Sequence, residues 1–333
     1  MYFHFYNFFR YSCYVTVNCS LSSSLTNSCK DSHSFEYSRK SNNFAESCFI
    51  IIMKTRIDVR QVLRSKLNGK ADRIPAFIVN YLIRIIHQDE INQLLEIYRD
   101  IQGVAFMEAL VAYFNVRLEV KNEENLPAGD KKYIFVSNHP LGGFDGICLS
   151  YLLGKHYQGQ IRCLVNDLLL AIPNLRSIFV PVNKHGAQSK EAAIKMKEIF
   201  ASENQIFTFP AGLCSRKRKG VIRDLEWKKS FVQKAVEYRR DVVPIFFEGR
   251  NSSFFYRLAN IRKLLRIKTN MEMLYLPDEM FRQKNRSFCI TIGKPIAWQT
   301  FDSKKKPTEW AQWVKEKTYN LDDFPGRFLQ DSH

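Results

Sequence analysis

At residues 135–146 the chain reads Phe-Val-Ser-Asn-His-Pro-Leu-Gly-Gly-Phe-Asp-Gly, an apolar run that leads into a histidine and a glycine-rich turn. Glycines let a turn close tightly and bring backbone N–H groups towards a ligand. A carboxylate close behind the histidine can hold one ring nitrogen, which leaves the other to take a proton from a hydroxyl. The pattern indicates that His139 and Asp145 form part of a Ser-His-Asp arrangement in which the substrate supplies the hydroxyl. The competing interpretation is a structural histidine beside a tight turn.

Short runs of β-branched and aromatic residues recur on both sides of this stretch and alternate with helical stretches. The expected strands are Tyr133–Ser137, Ile161–Val165, Ser177–Val182, Gln205–Phe209, Val242–Phe247 and Ser287–Ile292, and the expected helices are Ile147–Tyr157, Lys190–Ala201 and Glu226–Tyr238. This alternation predicts an α/β fold with a mixed, largely parallel sheet covered by helices. Apolar residues at helical spacing between Pro75 and Phe114 predict a helical segment before the sheet.

The first 52 residues differ from the rest in composition. They hold eleven serines and four of the eight cysteines, and neither a helical nor a strand period persists. Arg10 interrupts the aromatic run at the start, and no cleavage signal follows. We expect residues 1–52 to be a spurious upstream translation with Met53 as the working start; the alternative is a genuine disordered leader. Residues 53–115 then form a helical segment that is a candidate for membrane contact, and residues 116–320 form the main domain.

The chain is strongly basic, with 50 Lys and Arg against 33 Asp and Glu and a net charge of +17. The first 52 residues hold four basic and three acidic residues, so the remainder has 46 and 30 and a charge of +16. Such a surface favours nucleic acid, anionic lipid or an acidic carrier protein. The remaining cysteines are far apart, which predicts no metal site and a reducing cytoplasmic compartment. No apolar run reaches the ~20 residues of a membrane span.

Three further stretches end or contain an expected strand. Residues 177–184 read Ser-Ile-Phe-Val-Pro-Val-Asn-Lys, residues 207–219 read Phe-Thr-Phe-Pro-Ala-Gly-Leu-Cys-Ser-Arg-Lys-Arg-Lys, and residues 242–245 read Val-Val-Pro-Ile. Arginine suits a bidentate grip on phosphate or carboxylate, and lysine supplies a point charge. The four cations that begin at Arg216 are therefore candidates for binding an anion, and the alternative is a solvated loop.

In this order and spacing, the four stretches resemble the four sequence blocks of the glycerolipid and lysophospholipid acyltransferase family, which includes 1-acylglycerol-phosphate acyltransferases. Roughly residues 110–300 carry the resemblance. Two departures stand out. Five residues rather than four separate His139 from Asp145, and Ala211 stands where the family has a Glu thought to help hold the glycerol-phosphate acceptor. Residues 138–143 and 209–212 look more like the branch called hemolysin-like, which includes O-acyltransferases of ornithine and glycine lipids.

The resemblance implies that a fatty acyl group moves from a thioester on acyl carrier protein or coenzyme A to the hydroxyl of a lysolipid. The acceptor would be an N-(3-hydroxyacyl) amino acid, either lyso-ornithine or lyso-glycine lipid, with lysophosphatidic acid as the alternative. No metal or organic cofactor is required. The residues implied are His139 and Asp145 for proton transfer, Gly142, Gly143 and Gly212 for the loop or the oxyanion, and Arg216, Lys184 and Pro210 for acceptor binding.

Residues 254–268 interleave eight apolar with five basic residues. The pattern predicts a basic amphipathic stretch that lies on an anionic bilayer, or a helix packed on the domain with a solvated basic face. We expect the protein to be peripheral, on the inner face of the cytoplasmic membrane. The alternative from another class is a basic protein that binds membrane or nucleic acid without catalysis. The sequence has no recognition helix or RNA-binding aromatic motif, so we expect no nucleic-acid partner.

Overall fold

The structure is a computed structural model that describes residues 56–66, 74–165, 169, 172–182 and 190–321. The proposed leader at 1–52, the start at Met53 and the acceptor-binding candidate Lys184 lie outside these residues. The helices are α1 (Val59–Lys66), α2 (Ala76–Ile86), α3 (Gln88–Ile97), α4 (Gly103–Tyr113), α5 (Phe144–His156), α6 (Lys190–Ala201), α7 (Ser230–Tyr238), α8 (Ser253–Leu264), α9 (Leu276–Phe281) and α10 (Pro307–Tyr319). The strands are β1 (Arg117–Lys121), β2 (Tyr133–Ser137), β3 (Ile161–Val165), β4 (Phe179–Pro181), β5 (Gln205–Thr208), β6 (Arg216–Arg218), β7 (Val221–Arg223), β8 (Asp241–Phe247) and β9 (Ser287–Ile292).

Seven strands form one sheet in the order β1-β9-β8-β2-β5-β3-β4. The five strands from β8 to β4 are parallel, whereas β9 runs antiparallel to β8 and parallel to β1. Helices precede the sheet, as expected. The predicted α/β fold with a mixed, largely parallel sheet is therefore confirmed. Because β2 lies between the parallel strands β5 and β8, the three strands end at the same edge of the sheet.

The central strand β2 is buried at all five positions. Its residues alternate between two apolar clusters, one on each face of the sheet. Phe135 belongs to the cluster with α4 and α5, whereas Ile134 and Val136 belong to the cluster with α7 and α10. A shift of one residue would exchange the two faces, so this packing fixes the register of β2 and the point at which the strand ends.

Strand β1 and the hairpin of β6 and β7 were not predicted from the sequence. Strand β1 lies at the sheet edge, where exposed and partly buried residues alternate, and charged side chains are usual at such edges. The four consecutive cations form β6 and the first residue of the hairpin turn instead of a loop. Lys219 and Gly220 connect its strands with φ values of 48° and 82°, the pair of positive angles that a tight two-residue hairpin turn needs.

Helix α5, whose first turn carries Asp145, packs tightly against α4. A Cβ atom on Gly154 would lie 2.7 Å from Cγ1 of Val104 and closer still to its Cγ2, so the absence of a side chain permits the close approach. Helix α4 shares its core with the sheet, whereas α1 and α2 pack against Leu258 of α8 in a separate cluster. The position of α5, and with it that of Asp145, therefore depends on contact with α4.

We expect Gly154→Ala to lower the free energy of unfolding by about 1–2 kcal/mol, because overpacking costs ~1–3 kcal/mol and exceeds the helix preference for Ala. Val104→Ala removes the clashing methyl groups, so the double variant should lose less stability than the two single variants together. Urea unfolding of the four proteins measures this coupling. Gly129→Ala is the control, since its new Cβ would meet no atom closer than 3.7 Å. If the losses in free energy of unfolding of the two single variants add up to that of the double variant, the proposed contact is contradicted.

Candidate active site

His139 begins the loop at the carboxyl end of β2, and the side chain of Asn138 fixes that point. Oδ1 of Asn138 accepts a hydrogen bond from the backbone N of Phe247 at 2.7 Å, and Nδ2 donates to the carbonyl of Phe247 at 2.9 Å. The side-chain amide thus continues the pairing of β2 with β8 after the backbone pairing ends. Because Asn138 is buried, water does not compete for these bonds, and the loop leaves the sheet from a defined position.

The imidazole of His139 is held by a fully buried carboxylate. Nδ1 of His139 lies 3.0 Å from Oδ2 of Asp145, whose side chain has no exposed surface. The same carboxylate accepts hydrogen bonds from the backbone N of Leu141 and of Gly146, each at 2.9 Å. An ionised carboxylate only accepts, so Nδ1 carries the hydrogen. In the neutral ring Nε2 is then an acceptor, and it has no partner among the described residues. The histidine side chain is 15% exposed, which leaves it within reach of a substrate.

The additional residue in the loop does not separate His139 from Asp145, which confirms that the two side chains meet. Gly142 adopts a φ of 75°, and a Cβ there would lie 2.8 Å from Cβ of Cys214. Only glycine therefore fits this position without strain. Helix α5 has Gly143 at its cap position, so Asp145 lies inside the first turn and does not cap the helix. The catalytic roles of the pair remain predictions.

The loop glycines differ in what their backbone N–H groups do. Within the described part of the chain, the N–H groups of Gly142 and Gly143 donate no hydrogen bond, and a Cβ on Gly143 would meet no atom within 4 Å. Two donors beside His139 are thus left for an oxyanion. By contrast, the N–H of Gly212 donates to the carbonyl of Phe209 at 3.0 Å. Gly212 therefore shapes a turn, and its role towards an oxyanion stays a prediction.

Phe209 supports the histidine ring from the end of the neighbouring strand β5. The two ring centroids are 3.9 Å apart and the planes are inclined by 23°. Phe209 belongs to the quoted motif, but its position in the sequence did not indicate this role. Pro210 follows and is buried, with its carbonyl accepting the N–H of Lys228 at 3.1 Å. The parallel pairing of β2 with β5 brings these two strand ends together.

A second buried carboxylate, Asp224, contacts the backbone of His139. Oδ1 of Asp224 accepts from the backbone N of His139 at 3.1 Å and from Oγ of Ser215 at 2.6 Å, and Oδ2 accepts from Nε1 of Trp227 at 2.8 Å. Burial raises the pKa of Asp224 above its ordinary value, and the hydrogen bonds from Ser215 and Trp227 offset only part of that shift. Asp224 was not predicted from the sequence, because no local pattern connects it with a histidine 85 residues earlier.

Arg216, the expected ligand of the acceptor, is buried and engaged within the protein. Its Nη1 donates to the carbonyl of Cys214 at 2.7 Å, and its Nη2 donates to Oε1 of Glu272 at 3.0 Å. Glu272 is fully buried, and its Oε2 lies 2.8 Å from Nε of Arg262, too poorly aligned for a hydrogen bond but close enough for an ion pair. Two guanidinium groups therefore share one carboxylate, which leaves one positive charge in the cluster. The acceptor-binding role of Arg216 stays a prediction.

Cys214 lies in the same loop without being set up as a nucleophile. Burial raises the pKa of its thiol to about 11, although Arg216 beside it favours the thiolate. At neutral pH the group is therefore a protonated, packed side chain. Across the described residues, no three His, Cys, Asp or Glu side chains are placed to hold one metal ion. A histidine oriented by a buried carboxylate, with free N–H donors nearby in the loop, is an arrangement suited to acyl transfer, in which His139 is the predicted general base.

The chain is similar to several known proteins. A family model described as Acyltransferase matches residues 61–324. Two relatives named lyso-glycine lipid O-acyltransferase, from Phocaeicola vulgatus and Bacteroides thetaiotaomicron, are each 52% identical over 265 residues, which cover 80% of this chain and 95% and 97% of the relatives. The solved 1-acyl-sn-glycerophosphate acyltransferase PlsC from Thermotoga maritima aligns with a TM-score of 0.41 and 16% identity over 74% of this chain and 90% of that one. Because the family model and both relatives extend over most of its length, the chain belongs to the acyltransferase family.

Proposed function

We propose that this protein transfers a fatty acyl group from a thioester to the hydroxyl of an N-acyl amino-acid lysolipid, and that lyso-glycine lipid is its acceptor. The observation that carries the proposal is the histidine at the end of β2. Nδ1 of His139 is fixed by Asp145, so Nε2 can take a proton. The names of the two relatives support the choice of acceptor. Acyl carrier protein or coenzyme A is the proposed acyl carrier.

The reaction requires one proton to move twice. The acceptor hydroxyl gives its proton to Nε2 of His139 while its oxygen attacks the thioester carbonyl carbon, and the imidazolium is stabilised by Asp145. The carbonyl electron pair moves to oxygen, where the N–H groups of Gly142 and Gly143 can donate to the oxyanion. Collapse of this intermediate breaks the C–S bond, and the leaving thiolate takes the proton from Nε2. The products are an ester and a free thiol.

Lysophosphatidic acid is the second candidate acceptor, and two observations weigh against it. Ala211 is buried and brings no carboxylate to the position of the family's Glu. Arg216 already contacts Glu272, which lowers the positive charge that the cluster offers to a doubly charged phosphate. An N-acyl glycine carries a single carboxylate, which matches the single excess charge of the cluster formed by Arg216, Arg262 and Glu272.

His139→Ala should lower kcat by about 10²–10⁴-fold, the usual contribution of general base catalysis. Asp145→Asn should also lower kcat strongly, because it removes the charge that stabilises the imidazolium. The kcat of the double variant should be little lower than that of His139→Ala, because the two residues act as one unit. Release of free thiol from an acyl thioester in the presence of lyso-glycine lipid measures the rate. His156→Ala, at the exposed end of α5, is the control.

Two results would contradict this mechanism. Full activity of His139→Ala would end the assignment of the active site. Full activity of Asp145→Asn alongside an inactive His139→Ala would show that another group orients the histidine.

Arg216→Ala should lower kcat/KM for the lysolipid and leave the KM for the thioester unchanged. Removal of a charge-assisted hydrogen bond in a partly buried site costs ~1.5–3 kcal/mol, which corresponds to a decrease of about 10–150-fold. Initial rates with each substrate varied separately make the comparison, and Arg218→Ala, on the exposed part of the hairpin, is the control. If both substrates are affected equally, or only the melting temperature falls, Arg216 does not bind the acceptor.

The proposed location is the inner face of the cytoplasmic membrane, with the protein bound to anionic lipid through α2 and α8. The two helices are connected through Tyr275, which lies between them. Its hydroxyl group is 2.8 Å from that of Tyr81 on α2, and its ring packs against Phe254 on α8. Large apolar side chains are exposed on this surface: Phe77, Phe254, Ile261, Leu264 and Leu265. Four exposed cations lie near the apolar side chains of α8 in the sequence: Arg257, Lys263, Arg266 and Lys268. In the described ranges, we find no helix with the length and apolarity that a membrane span needs.

Leu264→Asp combined with Leu265→Asp should weaken binding to vesicles that contain phosphatidylglycerol, because it places negative charge among the most exposed apolar side chains. Added salt should also release the protein, since it screens contacts with anionic lipid. Vesicle co-sedimentation measures both effects. Ile194→Asp changes a side chain that is 55% exposed on α6 and serves as the control. Equal loss of binding in the control and the double variant would contradict the assigned surface.

A further inference from the structure

We propose that Asp224 is a positioning residue that holds His139 through its backbone. This inference rests on the proposed function, in which His139 is the general base. The hairpin of β6 and β7 folds back so that residues on both sides of it reach the same peptide segment. Ser215, just before β6, donates its N–H to the carbonyl of His139 at 2.8 Å. Asp224, just after β7, accepts the N–H of His139 at 3.1 Å.

Both backbone polar groups of His139 are therefore occupied by one hairpin. The two contacts hold the two peptide units on either side of the Cα atom of His139, because rotation of either unit would break its hydrogen bond. Asp145 fixes the ring at Nδ1, but one contact on a side chain leaves the position of Cα undetermined. The two backbone hydrogen bonds of His139 fix the position of its Cα atom. Together, Asp145 and Asp224 determine where Nε2 lies, and a displacement of about 1 Å can cost a reaction ~10²-fold in rate.

The contacts of Asp224 require a carboxylate and not merely a polar side chain. Three donors point at its two oxygen atoms: the N–H of His139, the hydroxyl of Ser215 and the indole N–H of Trp227. An asparagine has one oxygen and brings two further hydrogens. In either orientation of that amide, at least one of the three donors would face an N–H₂ group. Asp224→Asn is thus close in size to the native residue and yet breaks at least one of the three hydrogen bonds to the carboxylate.

The backbone of Asp224 is itself fixed by helix α10. Its N–H donates to the hydroxyl of Tyr319 at 2.8 Å, and its carbonyl accepts from Nζ of Lys315 at 2.8 Å. Lys315 also donates to the carbonyl of Leu225 at 3.0 Å. These contacts stabilise the same segment without touching the carboxylate. Lys315→Met therefore provides a matched control, which weakens the attachment of residues 224–225 and leaves the three donors of the carboxylate in place.

The test compares full-length Asp224→Asn and Lys315→Met in the thioester assay, with rates expressed per folded molecule. We expect Asp224→Asn to lower kcat by at least 10-fold with the KM of both substrates within twofold of the native value. Lys315→Met should keep kcat within twofold, although it lowers the melting temperature. Proton NMR adds a direct readout, because a hydrogen-bonded imidazole N–H gives a resolved downfield resonance. That of Nδ1 of His139 should broaden or vanish in Asp224→Asn and persist in Lys315→Met.

Equal kcat in the two variants, or a rise in the acceptor KM without a fall in kcat, would overturn the inference. If Asp224→Asn does not fold, Ser215→Ala removes one donor to the carboxylate, and an unchanged kcat in that variant would also overturn it. Failure of the proposed function has a different signature. In that case His139→Ala would itself retain activity, whereas an inactive His139→Ala with a fully active Asp224→Asn would refute only the positioning role.

Discussion

The carboxylate of Asp145 has no contact with solvent, and this burial constrains the whole site. A charge inside a protein is tolerated only if hydrogen bonds replace its hydration. Three donors do so here, namely the ring of His139 and the N–H groups of Leu141 and Gly146. Two of the three belong to the backbone, so the carboxylate dictates the path of the loop as well as the orientation of the ring. The left-handed conformation of Gly142 allows the loop to follow that path.

The rest of the fold supplies fixed anchors for this loop. On one side, β2 is held in register by its two buried faces, and Asn138 extends its pairing to the last residue before the histidine. On the other side, α5 begins at Phe144 and is held close to α4 by the contact between Gly154 and Val104. A loop with two fixed ends and a bound carboxylate has little freedom left. Nε2 of His139, the nitrogen proposed to accept the proton, is therefore positioned before a substrate arrives, which is how an enzyme avoids reorganisation during the reaction.

Features that depend on local sequence were predicted well. The six expected strands are present because each is a short β-branched or aromatic run, and the meeting of His139 with Asp145 follows from glycines placed between a strand and a helix. Features that depend on distant partners were not predicted. Strand β1 alternates apolar and charged residues at an edge, and its position is given by pairing with β9. Asp224 lacks any sequence signal, because its function in the site arises only when the hairpin folds back onto His139.

The contacts of Arg216 show that a residue distant in the sequence can change the charge that a local motif predicts for a site. Four consecutive cations behind a strand indicate a surface for anions, and three of them, Lys217, Arg218 and Lys219, are partly or fully exposed. Arg216 differs because Glu272, 56 residues later in the chain, lies buried against it. The carboxylate cancels one of the two guanidinium charges in the cluster, and Arg262 keeps the total positive. A prediction made from residue types alone therefore overestimates the charge of this cluster. The buried glutamate leaves a net charge of +1, which supports the proposal that the acceptor carries a carboxylate.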